Sequence, residues 1–573
     1  MAFLDISKSF DSVSHETILR CARKYGLPPP LVRYLTRLYK DSLTIWDDAK
    51  VCCGRGVRQG DPLSPSLFIM VMDEVLSYAL PEVGFMVNGR RTGELAYADD
   101  LVLFANSQTE MVDKLEGLDR GLEPTGMKLN NSKCRTATIV KDGKRKHLVL
   151  LPREYETENG VIPSLEVDDK VKYLGLQFNW KGCLPVKSTV KAEEMLESLT
   201  RAPLKPHQRL EVLKSFLIPK LKFELVLGNA HRNTLRKLDR LIRNRLRGWL
   251  RLPKDTTLAF LHTKIDGHGL GISCLETVIP LEQRAKFERL MNSGTPVVAC
   301  TVQSKAVMTD IAAANVPIRV YRKLVSSKLE EEEAWKEALV KTHDGADLLN
   351  AEVDRASFHW LRNPQYVFPR LFIRGLQLRG GLLNTKVRSS RGNRRAPDDM
   401  RCRGLCGCPE SVGHIMQKCA LTHDTRCARH NRVVQRVGKL LSARGHTVFT
   451  EPIIPSGSTF CKPDLVVGCG SSILVMDVTI VNTRRMIESW NLKIVKYHKP
   501  AINEMIPKVC EYKGLEARAV KHIPIVLSDR GMLLQRSGMA LRRAGLTNRD
   551  LSDICLLTTV GSLKCYDTYM RMT

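Results

Sequence analysis

Glu94–Ala105 reads ELAYADDLVLFA. Two apolar runs, Leu95–Ala98 and Leu101–Ala105, flank the pair Asp99–Asp100. Leu, Val, Phe and Tyr suit a half-buried pleated surface. The pattern predicts a β-hairpin with both aspartates at its turn. Asp also favours turns because its side chain bonds the local backbone. The pair alone does not separate a solvated turn from a functional one, and the rest of the chain has to decide.

Working outward, a second Asp closes another apolar stretch. Ala2–Ile6, AFLDI, reads as a short strand carrying Asp5. Strands from distant segments can pair, and Asp5 facing Asp99 would set two carboxylates side by side. Such a pair repels unless it shares a cation, and hard oxygen ligands suit Mg²⁺. Two such ions can activate a 3′-hydroxyl and stabilise a leaving pyrophosphate. Read alone, Asp5 is equally a turn residue or a helix N-cap. Between the aspartates, Gly54–Pro65 (GRGVRQGDPLSP) is a glycine-containing loop stiffened by Pro62 and Pro65, and an apolar helix follows over Ser66–Leu80. Such a loop can bring backbone amides against a phosphate or a base, although its glycines fit a plain connection as well.

Composition narrows the partner. The chain has 573 residues, 89 Lys+Arg against 61 Asp+Glu, and a formal net charge of +28. That length exceeds what one core organises, so roughly three or four domains are expected. An excess of positive charge this large points to a polyanion, nucleic acid or an anionic membrane surface. No run of eighteen apolar residues spans a bilayer, and the first residues lack a secretory pattern. Seventeen cysteines without such a signal suggest reduced thiols in cytosol or nucleus. Nucleic acid is the favoured partner.

FLDISKSFDSV, then RQGDPLSP, then YADD, in that order, resembles the palm of reverse transcriptases. More closely, it is similar to the enzymes of non-LTR retrotransposons. The resemblance implies that Asp5 and Asp99 bind metal and that Asp100 assists them. It implies that Phe10 is the gate that excludes a ribose 2′-hydroxyl, and that Gln59 and Gly60 line the nascent base pair. Gly126–Cys134 (GMKLNNSKC) resembles the family's lysine-bearing segment, with Lys133 as proton donor to pyrophosphate. Val171–Phe178 (VKYLGLQF), with Leu174 and Gly175, resembles the strand pair that grips the primer. The family's fingers lie upstream of the first of these motifs, and only four residues precede Asp5. The expectation is a fragment lacking fingers that polymerises poorly alone.

Downstream, helices are expected over Val190–Leu199, Gln208–Ile218 and Arg232–Trp249, with breaks at Pro203, Pro206 and Pro219. The third is strongly basic and has an apolar stripe. Only Asp239 balances its arginines in sequence, which favours phosphate binding over a plain solvated face. Its placement resembles a thumb. The run Glu330–Glu333 reads as a solvated helix face, Lys141–Lys146 (KDGKRK) as a solvated loop, and Val387–Arg403 as a basic linker.

Cys402, Cys406, His414 and Cys419 form C-x3-C-x7-H-x4-C. Four soft or borderline ligands on short loops suit structural zinc, and Cys408 is an alternative ligand. Further on, Lys462–Pro463–Asp464 precedes a strand, and Asp477 sits within the next one, Ile473–Ile480. A buried strand rarely carries an unpaired carboxylate, and two on neighbouring strands fit a divalent ion that activates water. A turn Asp plus a salt-bridged Asp is the plainer reading. The pattern resembles restriction-like endonucleases, although Thr479 stands where their lysine is usual. In the retrotransposon branch the lysine comes from a following helix, where Lys493 and Lys496 are both candidates beside Tyr497.

The whole order is similar to the restriction-like-endonuclease clade of non-LTR retrotransposon proteins, most closely those inserting into large-subunit ribosomal RNA genes. It implies a multidomain α+β protein: a right-hand polymerase palm over residues 1–185, a helical thumb over 186–300 and a helical linker region over 301–395. A zinc knuckle over 396–430 and a restriction-endonuclease-like α/β domain over 431–573 complete it. The implied activity is RNA-directed DNA polymerisation plus DNA nicking in target-primed reverse transcription. The implied cofactors are Mg²⁺ or Mn²⁺ and structural Zn²⁺. The implied partners are an RNA template, a DNA primer, double-stranded target DNA and dNTPs, with no membrane. The expected location is the nucleus during insertion and the cytoplasm during assembly with RNA. A catalytically silent nucleic-acid-binding remnant is the alternative from another class. A mobile-intron maturase fits less well, because the nuclease motif is Lys-Pro-Asp and not histidine-rich.

Overall fold

The computed structural model describes every residue except 48, 145, 185–187, 229, 347, 349–351, 393–395, 457, 458, 471 and 512–518. The boundaries expected at 185 and 395, and Arg145 of the basic loop, lie outside the described residues. Helices and strands are mixed throughout, giving a multidomain α+β protein. The chain divides into two compact units. One comprises Met1–Ser188, Lys222–His231 and Glu282–Val316; the other comprises Thr189–Leu221, Arg232–Leu281 and Pro317–Thr573. No single helix among the described residues is long and apolar enough to cross a membrane.

In the first unit the elements that matter are β1 (Ala2–Leu4), α1 (His15–Lys24), α2 (Pro29–Lys40), α3 (Ser64–Ala79), β2 (Glu94–Tyr97), β3 (Asp100–Leu103), α4 (Gln108–Leu122) and β4 (Arg135–Thr136). The sheet order is β2-β3-β1-β4, antiparallel throughout, so β1 is an inner strand. Alternation puts Ala2, Leu4, Leu101 and Leu103 on one face, where they join Ile18, Phe68, Val71, Leu115 and Leu118 in a single core. Ser14 and Ser107 start α1 and α4 by accepting the N–H groups of Thr17 and Glu110, which satisfies amides that the helices cannot. Helices α3 and α4 approach closely at Gly117, where a Cβ would lie 2.2 Å from the Ala79 carbonyl oxygen. Two hairpins the sequence did not announce follow β4. In one, Thr138–Asp142 pairs with His147–Leu151, so Lys141 and Asp142 of the basic segment belong to a β-ribbon.

Helix α5 (Ser188–Arg201) opens the second unit at Thr189. The break expected at Pro219 is absent. The helical run Pro206–Val212 passes through a π turn at Leu213–Leu217 into α6 (Ile218–Leu227). Proline has no N–H to donate, and the widened turn just before it gives the ring room. The basic helix α7 spans Arg232–Trp249 as expected. Its arginines are less free than the sequence implied. Arg232 and Arg236 pair with Glu276, and Arg245 pairs with Glu197, so the balancing acids come from other helices. Asp239 is buried and accepts the N–H groups of Leu275 and Glu276 at the start of α8 (Leu275–Met291). The acidic run on α9 (Lys328–Val340) is likewise not wholly solvated. Glu331 is buried and accepts from Thr277 Oγ1 at 2.8 Å and Trp335 Nε1 at 2.6 Å.

The same unit contains a second sheet. After α10 (His423–Ser442) come β5 (Thr447–Thr450), β6 (Leu465–Cys469), β7 (Ser472–Val481), α11 (Met486–Tyr497), α12 (Pro500–Glu511), β8 (Ala519–Ser528), α13 (Gln535–Arg543) and α14 (Asn548–Met572). The strand order is β5-β6-β7-β8, with only the β7–β8 pair parallel. One face, through Leu465, Val467, Leu474 and Met476, packs on Val433, Val437, Leu441 and Ile554 of α10 and α14. The other, through Val466, Ile473 and Val475, packs on Tyr497, Ile502 and Ile506 of α11 and α12.

Charge also joins α1 to α3. Glu74 accepts from Arg20 Nη1 at 2.6 Å, Lys24 Nζ at 2.9 Å and Cys21 Sγ at 2.5 Å. Chiefly through the Cys21 bond, then those of Lys24 and Arg20, its carboxyl is held down to about 2. A depressed carboxylate stabilises the fold fully above its unfolded value and loses that contribution as pH falls through its folded one. The stability gap between the wild type and Glu74→Gln is therefore expected to be constant above pH ~4.5 and to close as pH falls towards about 2. Thermal melts in matched buffers read this directly. A gap unchanged across that range would contradict it.

Candidate active sites and metal centre

Register builds the first site. β2 and β3 form the expected hairpin, with Tyr97 opposite Asp100, so Ala98 and Asp99 make the turn and Asp100 opens β3. Ala98 has φ of 55°, a left-handed conformation that costs a non-glycine residue about 1 kcal/mol or more. The pairing Leu4↔Leu101 then places Asp5, one residue past β1, beside Asp100. Burial, followed by the charges of Asp99 and Asp5, raises the Asp100 carboxyl above its ordinary range. Three carboxylates thus share one patch. Two neighbours orient them: Ser9 Oγ donates to Asp99 Oδ2 at 2.6 Å, and Lys133 Nζ lies 3.7 Å from Asp5 Oδ2.

The other expected residues surround this patch. Phe10 stacks on Phe68 with ring centroids 4.3 Å apart, so α3 fixes the plane of its ring. Gln59 is exposed and donates from Nε2 to Asp11 Oδ1 at 3.1 Å, and Gly60 has φ of 90°. Their loop is tied to the Asp5 segment by Val57 N–H to Phe10 O and Gly56 N–H to Val13 O. Val171–Tyr173 and Leu176–Asn179 form a hairpin, with Leu174 and Gly175 at φ of 46° and 81° in its two-residue turn. This is the backbone sense that suits right-twisted strands. Lys172 and Tyr173 of this hairpin lie within electrostatic reach of Asp100, and the Tyr173 ring meets Phe3 edge-on at 6.3 Å.

The second site lies in the other unit. Leu465↔Met476 sets Asp464 beside Asp477 on adjacent strands. Asp464 Oδ2 accepts the Val478 N–H at 2.7 Å and lies 3.2 Å from His430 Nε2. Burial pushes Asp464 up, but His430, the Val478 amide and Lys493 outweigh it, and its net direction is down. His430, first through Asp464, is raised to about 9. Asp477 Oδ1 accepts from Lys493 Nζ at 2.8 Å, whereas Lys496 Nζ stands 4.0 Å from Oδ2 and bonds the Tyr497 hydroxyl at 3.0 Å. Both lysines reach the site, with Lys493 the nearer. His430 escaped the sequence reading because α10 begins eight residues before the helix predicted from Asn431. The histidine fell in what looked like the tail of the cysteine cluster.

Cys402, Cys406, His414 and Cys419 converge, with their ligand atoms all within 4.8 Å of one another. Sγ of Cys419 lies 3.8 Å from that of Cys402 and 3.6 Å from that of Cys406. Zn–S bonds of about 2.3 Å at a tetrahedral angle separate sulfurs by about 3.8 Å. Both ring nitrogens of His414 are buried without a hydrogen-bond partner, an arrangement that a metal bond would relieve. Cys408 is exposed and contributes its backbone carbonyl to Cys402 N–H. The cluster is seated on the last helix, because the Tyr569 hydroxyl donates to buried Glu410, which also pairs with Arg403.

Comparison with known proteins bears on both sites. Residues 1–178 match the family described as "Reverse transcriptase (RNA-dependent DNA polymerase)". The Pol polyprotein of an R2 retrotransposable element from Popillia japonica is 31% identical, over 92% of this chain and 86% of that protein. The chain belongs to the Pol polyproteins of R2 retrotransposable elements. Two other R2 Pol polyproteins match along the whole chain, one from Nasonia vitripennis at 32% identity and one from Drosophila melanogaster at 34%. This R2 Pol chain spans about half of their length, 55% and 54%.

The hairpin turn gives a local test. A Cβ on Gly175 would lie 3.1 Å from Phe223 Cε1, at a φ of 81°. Gly175→Ala is expected to destabilise the first unit by about 1 kcal/mol or more, read as a lower melting temperature. An unchanged one would show that the turn does not need glycine.

Proposed function

We propose that this R2 Pol chain carries an RNA-directed DNA polymerase and a DNA-nicking endonuclease that act together in target-primed reverse transcription. The observation that carries this reading is the β1–β3 register, which stands Asp5 beside Asp99 and Asp100 within the segment that matches reverse transcriptases. On it, residues 1–185 are the palm with its primer grip, 186–300 the thumb and 301–395 a helical linker region. Residues 396–430 are a zinc knuckle and 431–573 a restriction-like endonuclease. The work takes place in the nucleus at chromosomal DNA, after assembly with the element's RNA in the cytoplasm.

The donor sets fit the groups this function needs. Three carboxylate side chains, with the ammonium groups of Lys133 and Lys172 within reach, suit Mg²⁺ or Mn²⁺. Asp464 and Asp477 suit the same ions, and the Cys–His cluster suits Zn²⁺. When bound, the divalent ions supply an activated oxygen nucleophile and charge stabilisation at the reacting phosphate.

The chain's own residues do the rest. In the palm, Ser9 holds Asp99, and Lys133 stands where it can give a proton to a leaving pyrophosphate. Phe10, backed by Phe68, presents a rigid ring to the sugar. An added 2′-hydroxyl would be rejected by shape, so dNTPs are favoured. Gln59 and Gly60 line the base pair, and Leu174–Gly175 turn the primer grip. In the nuclease, His430 and the Val478 amide fix the Asp464 carboxylate, and Lys493 holds Asp477 while offering positive charge to the scissile phosphate.

Nicking of a target duplex should fall by more than about a hundredfold in Asp464→Ala, beyond the usual cost of losing an outer-shell partner. Lys493→Ala should cost more than Lys496→Ala. Asp5→Asn and Asp99→Asn should remove the Mg²⁺-dependent rise in melting temperature and primer extension while leaving nicking intact. Nicking that survives Asp464→Ala, or extension that survives Asp99→Asn, would defeat the respective assignment. Metal analysis should find about one zinc per chain. Cys419→Ser should lose it and Cys408→Ser should keep it; loss in both would move Cys408 into the ligand set.

A further inference from the structure

The nuclease sheet has an open side. β8 is its edge strand; its second half bonds the following chain through Pro524, Val526 and Ser528, but among the described residues its first half, from Ala519 to Ile523, has no second strand beside it, and such an edge presents unpaired N–H and C=O groups. A cavity of about 780 Å³ lies along that edge between α11 and α13. Its apolar wall is Leu474, Ile494, Ile523 and Met539, with the half-buried ring of Trp490. Its rim carries Lys521, Arg536 and Arg543, all exposed, and among the described residues none of the three has an ion-pair or hydrogen-bond partner. His498 adds a further basic group, and no lining residue is acidic.

Three unmatched cations around an apolar, aromatic slot therefore call for an anionic ligand with a flat apolar part. A nucleotide in a strand without a partner base is such a ligand. Its base stacks on an aromatic ring, and its phosphates meet lysine and arginine. A base inside a duplex has both faces covered by the neighbouring base pairs. The volume lies within the range of sites that enclose small ligands, enough for one base and its sugar.

Helix α11 gives the cavity its bearing on the nuclease. Lys493 and Lys496 turn towards Asp477, while Trp490 and Ile494 of the same helix line the cavity. The two sites thus share one helix.

We propose that the cavity formed by Trp490, Lys521, Arg536 and Arg543 at the open edge of the nuclease sheet binds an unpaired nucleotide of a single-stranded nucleic acid. The ligand is either a DNA strand opened at the target or a single-stranded part of the RNA. The proposal rests on the nuclease reading for its biological use, but the binding itself does not. Its test is run without divalent ions so that no cleavage contributes. Fluorescence anisotropy compares labelled oligothymidylate, oligouridylate and a duplex of equal length on the full chain. Arg536→Ala/Arg543→Ala should weaken the preferred single strand by about tenfold or more and the duplex by much less.

An oligonucleotide of abasic sites should bind about tenfold more weakly than its parent to the wild type. That difference should shrink in Trp490→Leu and persist in Trp490→Phe, which keeps a ring. Tighter binding of oligothymidylate than oligouridylate would assign the site to DNA, and the reverse to RNA. Equal losses for single strand and duplex, or no loss in the double variant, would overturn the proposal. If Asp464→Ala leaves nicking intact while the double variant loses single-strand binding, the nuclease reading fails and the cavity assignment stands.

Discussion

Like charges on neighbouring strands are the constraint around which both carboxylate sites are built. In the first unit, β1 pairs with β3 in a register that leaves Asp5 beside Asp100 and the Asp99 turn. In the second, β6 pairs with β7 so that Asp464 stands beside Asp477. Neither register is electrostatically favourable by itself. Each is imposed by apolar residues on either side: Ala2, Leu4, Leu101 and Leu103 in one sheet, Val466, Ile473 and Val475 in the other. A one-residue slip would send those side chains to the wrong face. Hydrophobic burial therefore sets where the carboxylates meet, and the repulsion it leaves is one that positive charge relieves.

The two sites manage that repulsion differently. In the first, Asp99 is held by a neutral hydroxyl and Asp5 has a lysine at 3.7 Å. Asp100 responds with a raised proton affinity. In the second, a cation stands on each carboxylate, His430 on Asp464 and Lys493 on Asp477. The first patch is accordingly the more open to an incoming ion. The second is closer to neutral and more buried, and a metal there must compete with side chains already in place.

The sequence made local patterns legible and left long-range partners hidden. The Asp99–Asp100 hairpin, the basic helix Arg232–Trp249 and the clustering of Cys402, Cys406, His414 and Cys419 were readable because alternation, helical spacing and ligand spacing are local. His430 was not, because its relevance depends on α10 crossing a sheet formed by later residues. The acids that pair with the α7 arginines were invisible for the same reason, since Glu197 and Glu276 lie on helices far away in the chain. Pro219 misled because a proline rule applied to one residue ignores a π turn two residues earlier. The last seventy residues were hardly read at all. They hold the edge strand β8 and the long helix α14, whose Tyr569 braces the cysteine cluster through Glu410.

Helix α11 shows how one short segment serves several demands. Its first turns are apolar where Met486 and Trp490 pack against Val526 and Leu534. Its last turns carry Lys493 and Lys496, and Tyr497 is buried under the second sheet. Three and four residues separate neighbours on one helix face, so Trp490 is a neighbour of both Lys493 and Ile494 and links the carboxylate side of the helix to the cavity side. Any shift of α11 along β8 would move the lysines and the cavity wall together. The helix is pinned against such a shift at both ends, by Met486 in one core cluster and Tyr497 in another. Geometry at the carboxylates and geometry at the sheet edge are thus a single mechanical quantity.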